Sequence, residues 1–166
     1  MSGSEAVLGA DGTVEKVALN GYSAGEVNAL GSQTLENPSI SISGGVTTME
    51  FEKLLKESGE IEITTDTPMT FLVAYGTSTG LSYHADKGAY EIDLVTCDSA
   101  TSLAPSVAPV PSAAPEEISC ESDDPAYTFK YTFSDLGETF SFYWKVTTDK
   151  LNAKITSDAG GWGKHL

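Results

Sequence analysis

The sequence predicts an all-β fold, an antiparallel β-sandwich of immunoglobulin-like architecture. Three observations predict it. Apolar and polar residues alternate with the two-residue period of a strand in one segment after another. Short turns rich in glycine or aspartate separate those segments at regular spacing. No stretch sustains a helical period: Thr48–Ser58 is the one segment whose composition suits a helix, and its β-branched start and Phe51 favour a strand that ends in a polar loop.

The elements follow in order along the chain. Ala6–Ala10 and Val14–Leu19 flank Asp11-Gly12, a strong two-residue hairpin signal. Ser39–Ser43 and Val46–Phe51 flank Gly44-Gly45, a second turn. Met69–Tyr75 is almost continuously apolar, as expected of a central strand covered on both faces. In Ala89–Val95, Tyr90, Ile92 and Leu94 alternate with Glu91, Asp93 and Val95. A Pro/Ala/Ser-rich stretch, Asp98–Ile118, holds four of the seven prolines and no aromatic residue, so it reads as an extended or disordered linker. Beyond it, Tyr127, Phe129, Tyr131 and Phe133 mark a strand. Glu138–Thr147 places Phe140, Phe142, Trp144 and Val146 on one core-facing side, and Leu151, Ala153 and Ile155 complete a hairpin across Thr148-Asp149-Lys150. About eight or more short strands spaced in this way make a sandwich or barrel.

A length of 166 residues with 40% hydrophobic content suffices for one real core. The basic residues number nine, all lysines, against 24 acidic ones, for a net charge of −15. That balance argues against nucleic acid and anionic membrane surfaces as partners, since both require basic patches. No apolar run reaches the roughly 20 residues of a membrane span. The opening MSGSEAVLGADG has neither a basic region nor an apolar core, so it does not read as a signal peptide. Cys97 and Cys120 bracket the linker. In an oxidising compartment they would close it as a disulfide loop; the alternative is two buried or free thiols. No N-x-[ST] sequon supports secretion independently, because Asn37 precedes a proline. No phosphate-binding loop, zinc-type Cys/His spacing or nucleophile-elbow motif is present, which argues against an enzyme.

Four segments together resemble the DOMON domain, a β-sandwich module of extracellular redox and adhesion proteins. They are Ser39–Leu55, a strand pair ending in a Phe and a basic residue; Thr70–Leu94, with Tyr83-His84 ahead of Lys87-Gly88; Phe140–Leu166, an opening hairpin followed by Gly161-Trp162; and Met1–Gly9, with a methionine leading into an Ala-Val pair. The family order is rotated here: residues 1–97 resemble the C-terminal part of the domain, 98–118 the linker, and 119–166 its N-terminal strands. Either the chain is a circular permutant, or it is cut from a tandem array with further DOMON modules beside it. In both cases the halves would complement one another as a monomer or a swapped dimer.

Cytochrome-type members of that family hold b-type haem between a methionine and a histidine. The resemblance puts those roles on Met1 and His84, with Leu81, Tyr83 and Tyr90 as walls. Such a site would exchange electrons with a redox partner protein or domain. Met49 and Met69 read as core, His165 as solvent-exposed, and Trp144 and Trp162 as core anchors. Other family members bind sugars or serve adhesion without haem. For that alternative, a cell-surface glycan would stack on Tyr22, Tyr75 and Tyr83 beside Asp86. A structural surface module without a ligand is a third reading. The resemblance and the paired cysteines both imply an extracellular or cell-surface location.

Overall fold

A computed structural model of the protein describes residues 4–21, 23–76, 80–81, 84–97, 101–102, 120–133, 139–158 and 163–164. The first hairpin forms where the Asp-Gly pair marks it: β1 (Ser4–Ala10) turns into β2 (Thr13–Leu19) through Asp11 and Gly12, at φ 49° and 79°. Two successive left-handed residues give the tight turn whose twist matches that of paired strands. A single 3-10 turn, Ala24–Glu26, capped by Ser23, leads into β3 (Val27–Ala29) beside β2. The second hairpin repeats the device: β4 (Glu36–Ser43) and β5 (Val46–Leu54) meet across Gly44 and Gly45, at φ 59° and 84°. β6 (Met69–Tyr75) pairs with β7 (Asp86–Ile92), and β8 (Thr101–Ser102), inside the Pro-rich stretch, adds to β7. The C-terminal half supplies the meander β9 (Phe129–Phe133), β10 (Phe140–Val146) and β11 (Lys150–Ser157), then β12 (Gly163–Lys164), which pairs with β1.

All pairings are antiparallel and there is no α-helix among the described residues. The sheets run β12-β1-β2-β3, β4-β5-β11-β10-β9 and β6-β7-β8. The five-stranded sheet joins the two parts of the chain, because β5 pairs along the whole of β11, from Leu54↔Lys150 to Thr47↔Ser157. Its inner face carries Met49 and Phe51, Phe140, Phe142 and Trp144, and Leu151, Ala153 and Ile155. These pack against Val7, Val73, Tyr75, Tyr90, Ile92 and Leu94 in one continuous core. Trp144 is fully buried and its indole N–H donates to the Leu94 carbonyl at 2.9 Å, the polar handle a buried tryptophan needs. Cys97 and Cys120 form a disulfide with a Cα–Cα distance of 6.1 Å.

Three expectations change. Met69–Tyr75 is an edge strand of its sheet rather than a central one: Val73 and Tyr75 reach the core, Leu72 and Ala74 are half-buried, and Thr70 is exposed. An apolar run records how much of a strand is covered, but not whether a neighbouring strand does the covering. β10 is buried on both faces, because Tyr143 on the outer side lies between Lys130 and Lys154, with their ammoniums 5.0 and 4.4 Å from its ring centroid. Tyr127 precedes its strand instead of opening it; its N–H closes a turn onto Asp124 and its hydroxyl donates to Glu50 at 3.1 Å. No helix among the described residues is long and apolar enough to cross a membrane.

Candidate functional site

His84 lies on the connection between β6 and β7, immediately ahead of the residues that open β7, and is half-buried. The connection is closed by the Ala85 N–H donating to the Tyr75 carbonyl at 2.6 Å. Asp86 starts the strand opposite Tyr75, and its carboxylate accepts from the Lys87 N–H at 2.8 Å. Earlier in the connection, Gly80 sits beside the Asp11 carboxylate of the β1–β2 turn, with 3.4 Å between those oxygens and the position of a β-carbon. Leu81 is exposed on the same connection.

Tyr90 occupies a different place. It is 1% exposed, its ring lies over Gly88 on its own strand, and its centroid is 4.3 Å from that of Phe133. It is therefore a member of the core behind the connection, held by aromatic packing. Of the residues expected to surround haem, His84 and Leu81 share one connection and Tyr90 lies in the core, while Met1 and Tyr83 fall outside the described residues. His84 offers a half-buried imidazole on the connection, whereas the Tyr90 ring is packed against Phe133 in the core. For the sugar reading, Tyr75 is buried and cannot offer its face to a ring in solvent. Tyr22, Trp162 and His165 also fall outside the described residues. No cluster of three metal-ligating side chains occurs among the described residues.

An apolar cavity of about 250 Å³ lies away from this connection. Its walls come from β1 (Ala6, Val7), β6 (Phe71, Val73) and the inner face of the five-stranded sheet (Phe142, Ile155). It approaches solvent at exposed Thr70 and at Ile61, whose N–H donates to the Glu5 carboxylate at 3.0 Å.

The cavity wall also carries charged groups, Lys16, Lys53 and Glu60, that the sequence alone did not single out. Lys16 of β2 is 1% exposed, and its ammonium pairs with Glu57 at 2.9 Å and with Glu60. Lys53, at the end of β5, reaches the same two carboxylates at 2.7 Å each. Thr34 accepts from Lys16 at 2.6 Å and donates to Glu57. Burial pulls the Lys16 pKa down, but hydrogen bonds and charge from Glu60 and Glu57 outweigh it, so the net shift is upward. Burial likewise pushes Glu57 up, and its donors Lys53, Thr34 and Lys16 overcome that to hold it at about 2. The Gln33 side chain also brackets the Lys16 backbone, accepting from its N–H and donating to its carbonyl, both at 2.7 Å. The available signal was a lysine set among Val14, Val17 and Ala18, and the i,i+4 spacing of Lys53 and Glu57. Both read equally well as a solvated face until the loop at 55–63 folds back over β2. Compared with known proteins, the chain matches no family model, no curated protein and no solved structure.

Proposed function

We propose that this protein is a non-enzymatic extracellular module of DOMON type that holds b-type haem through His84 and passes electrons to a redox partner protein or domain. The observation that carries the reading is the position of His84: half-buried on the β6–β7 connection, three residues ahead of the Lys87-Gly88 pair that the family resemblance places after its ligand. The all-β antiparallel sandwich suits that family, and the Cys97–Cys120 disulfide suits an oxidising compartment. Leu81, exposed on the same connection, is available to cover an apolar ring. When bound, haem with imidazole and thioether ligands supplies one-electron transfer without bond-making chemistry. His84 supplies the imidazole, and Met1 is the proposed thioether donor.

The test is an absorption titration of the purified chain with haem, in oxidised and dithionite-reduced states. A saturable Soret band, with resolved α and β bands on reduction, is expected for the wild type and should be lost in His84→Ala. A non-saturating titration of folded protein, or an unchanged spectrum in His84→Ala, would remove this reading.

A further inference from the structure

We infer that the cavity between β1, β6 and the five-stranded sheet is a binding site for a small, uncharged, mainly hydrocarbon molecule. Size, lining and charge each narrow the ligand. At about 250 Å³ the space is larger than the roughly 150 Å³ voids that admit benzene and too small for a tetrapyrrole, so it is a site separate from any haem at His84. Its walls are aliphatic and aromatic, with Val7, Phe71, Val73 and Phe142 among them, and that surface rewards burial of hydrocarbon.

The charged residues in the wall, Lys16, Lys53 and Glu60, set the charge a ligand can carry. Two lysines and two glutamates face one another there with Thr34 between, and each of the four is at least nine-tenths buried. They are matched in number and bonded to one another, so the group presents no net charge to an incoming molecule. A carboxylate ligand would give up its hydration without gaining a free counter-ion, because both lysines are already committed to Glu57 and Glu60. A neutral ligand suffers no such loss. Its way in is the rim formed by Ile61 and Thr70, where the Glu5 carboxylate holds the Ile61 backbone in place.

The probe is N-phenyl-1-naphthylamine, a neutral dye that brightens in apolar surroundings, titrated into the full chain. Saturable enhancement is expected, with 1-decanol displacing the dye about tenfold more effectively than decanoate. Val73→Phe, which fills the space from β6, should weaken binding by about tenfold or more while the far-ultraviolet circular dichroism stays unchanged. If that variant does not fold, Val7→Leu adds volume from the cavity-facing side of β1 and should weaken binding in the same direction. The proposal is overturned by the absence of saturable enhancement in folded protein. Displacement by decanoate as effective as by decanol, or undiminished binding in a folded cavity-filling variant, would overturn it equally.

Discussion

Lys16 shows how much one side chain can carry. It sits in mid-strand, where an alternating pattern places it on a covered face, and burial of its ammonium is tolerated because two carboxylates and a hydroxyl meet it. Lys16→Met keeps much of the stem's volume but leaves Glu57 and Glu60 with Lys53 as their one cation in the group. A loss of about 3–5 kcal/mol is expected, measured as a lower urea midpoint at unchanged slope, and partly recovered by adding Glu60→Leu. The same group shapes the acid limb of stability. Glu57 titrates at about 2 in the fold against an ordinary 4.5, so as pH falls the unfolded chain takes up its proton first. The stabilisation, on the order of 3 kcal/mol, is complete above pH 4.5 and disappears as pH drops towards 2. In Lys16→Met that slope should flatten, because one of the donors that depress Glu57 is gone.

The β6–β7 hairpin shows what an element demands of its residues. Gly88 lies opposite Val73, and a β-carbon there would come within 2.4 Å of the Tyr90 ring. Tyr90 cannot swing aside freely, since it is buried against Phe133 and Tyr131. Gly88→Ala should therefore cost about 1–3 kcal/mol, seen as a lowered melting temperature, and the cost should shrink in a Tyr90→Leu background where the ring is absent. Elements such as this were legible in the sequence to different degrees. The hairpins at Asp11-Gly12 and Gly44-Gly45 were readable because turn chemistry is local. The buried partners of Ile92, Leu94, Leu151 and Ile155 were implied by strict alternation. The short β3 was missed, since three residues carry no period, and so was the edge position of β6, since strand order depends on distant segments. In the candidate site, His84 was named through resemblance, whereas the Lys16–Lys53–Glu57–Glu60 group was invisible: its members come from β2, β5 and the following loop, and only packing brings them together.

For the whole molecule, the decisive fact is that neither part of the chain owns a core. Met49 and Phe51 of the N-terminal part line one sheet with Leu151, Ala153 and Ile155 of the C-terminal part, and Tyr90 packs on Phe133 across the sandwich. Polar contacts cross the same divide: Trp144 to Leu94, Tyr127 to Glu50 and Lys150 to Glu36. Within the chain the disulfide adds a covalent tie over a separation of 23 residues, worth about 3 kcal/mol in the chain-entropy model. Because these contacts join the two parts independently of the covalent chain between them, cutting that chain within 103–119 should leave the assembly standing. A specific protease site introduced within 103–119 tests this. After cleavage the pieces should co-elute as one species of unchanged size and remain linked on a non-reducing denaturing gel. After reduction under native conditions they should still co-elute at micromolar concentration, but their melting temperature should now fall on dilution, because unfolding has become dissociation. Separation of the reduced pieces into independently folded species would show two domains instead of one shared sandwich. A melting temperature that ignores dilution in the reduced, cleaved protein would point the same way, since only a core built from both pieces couples stability to their concentration.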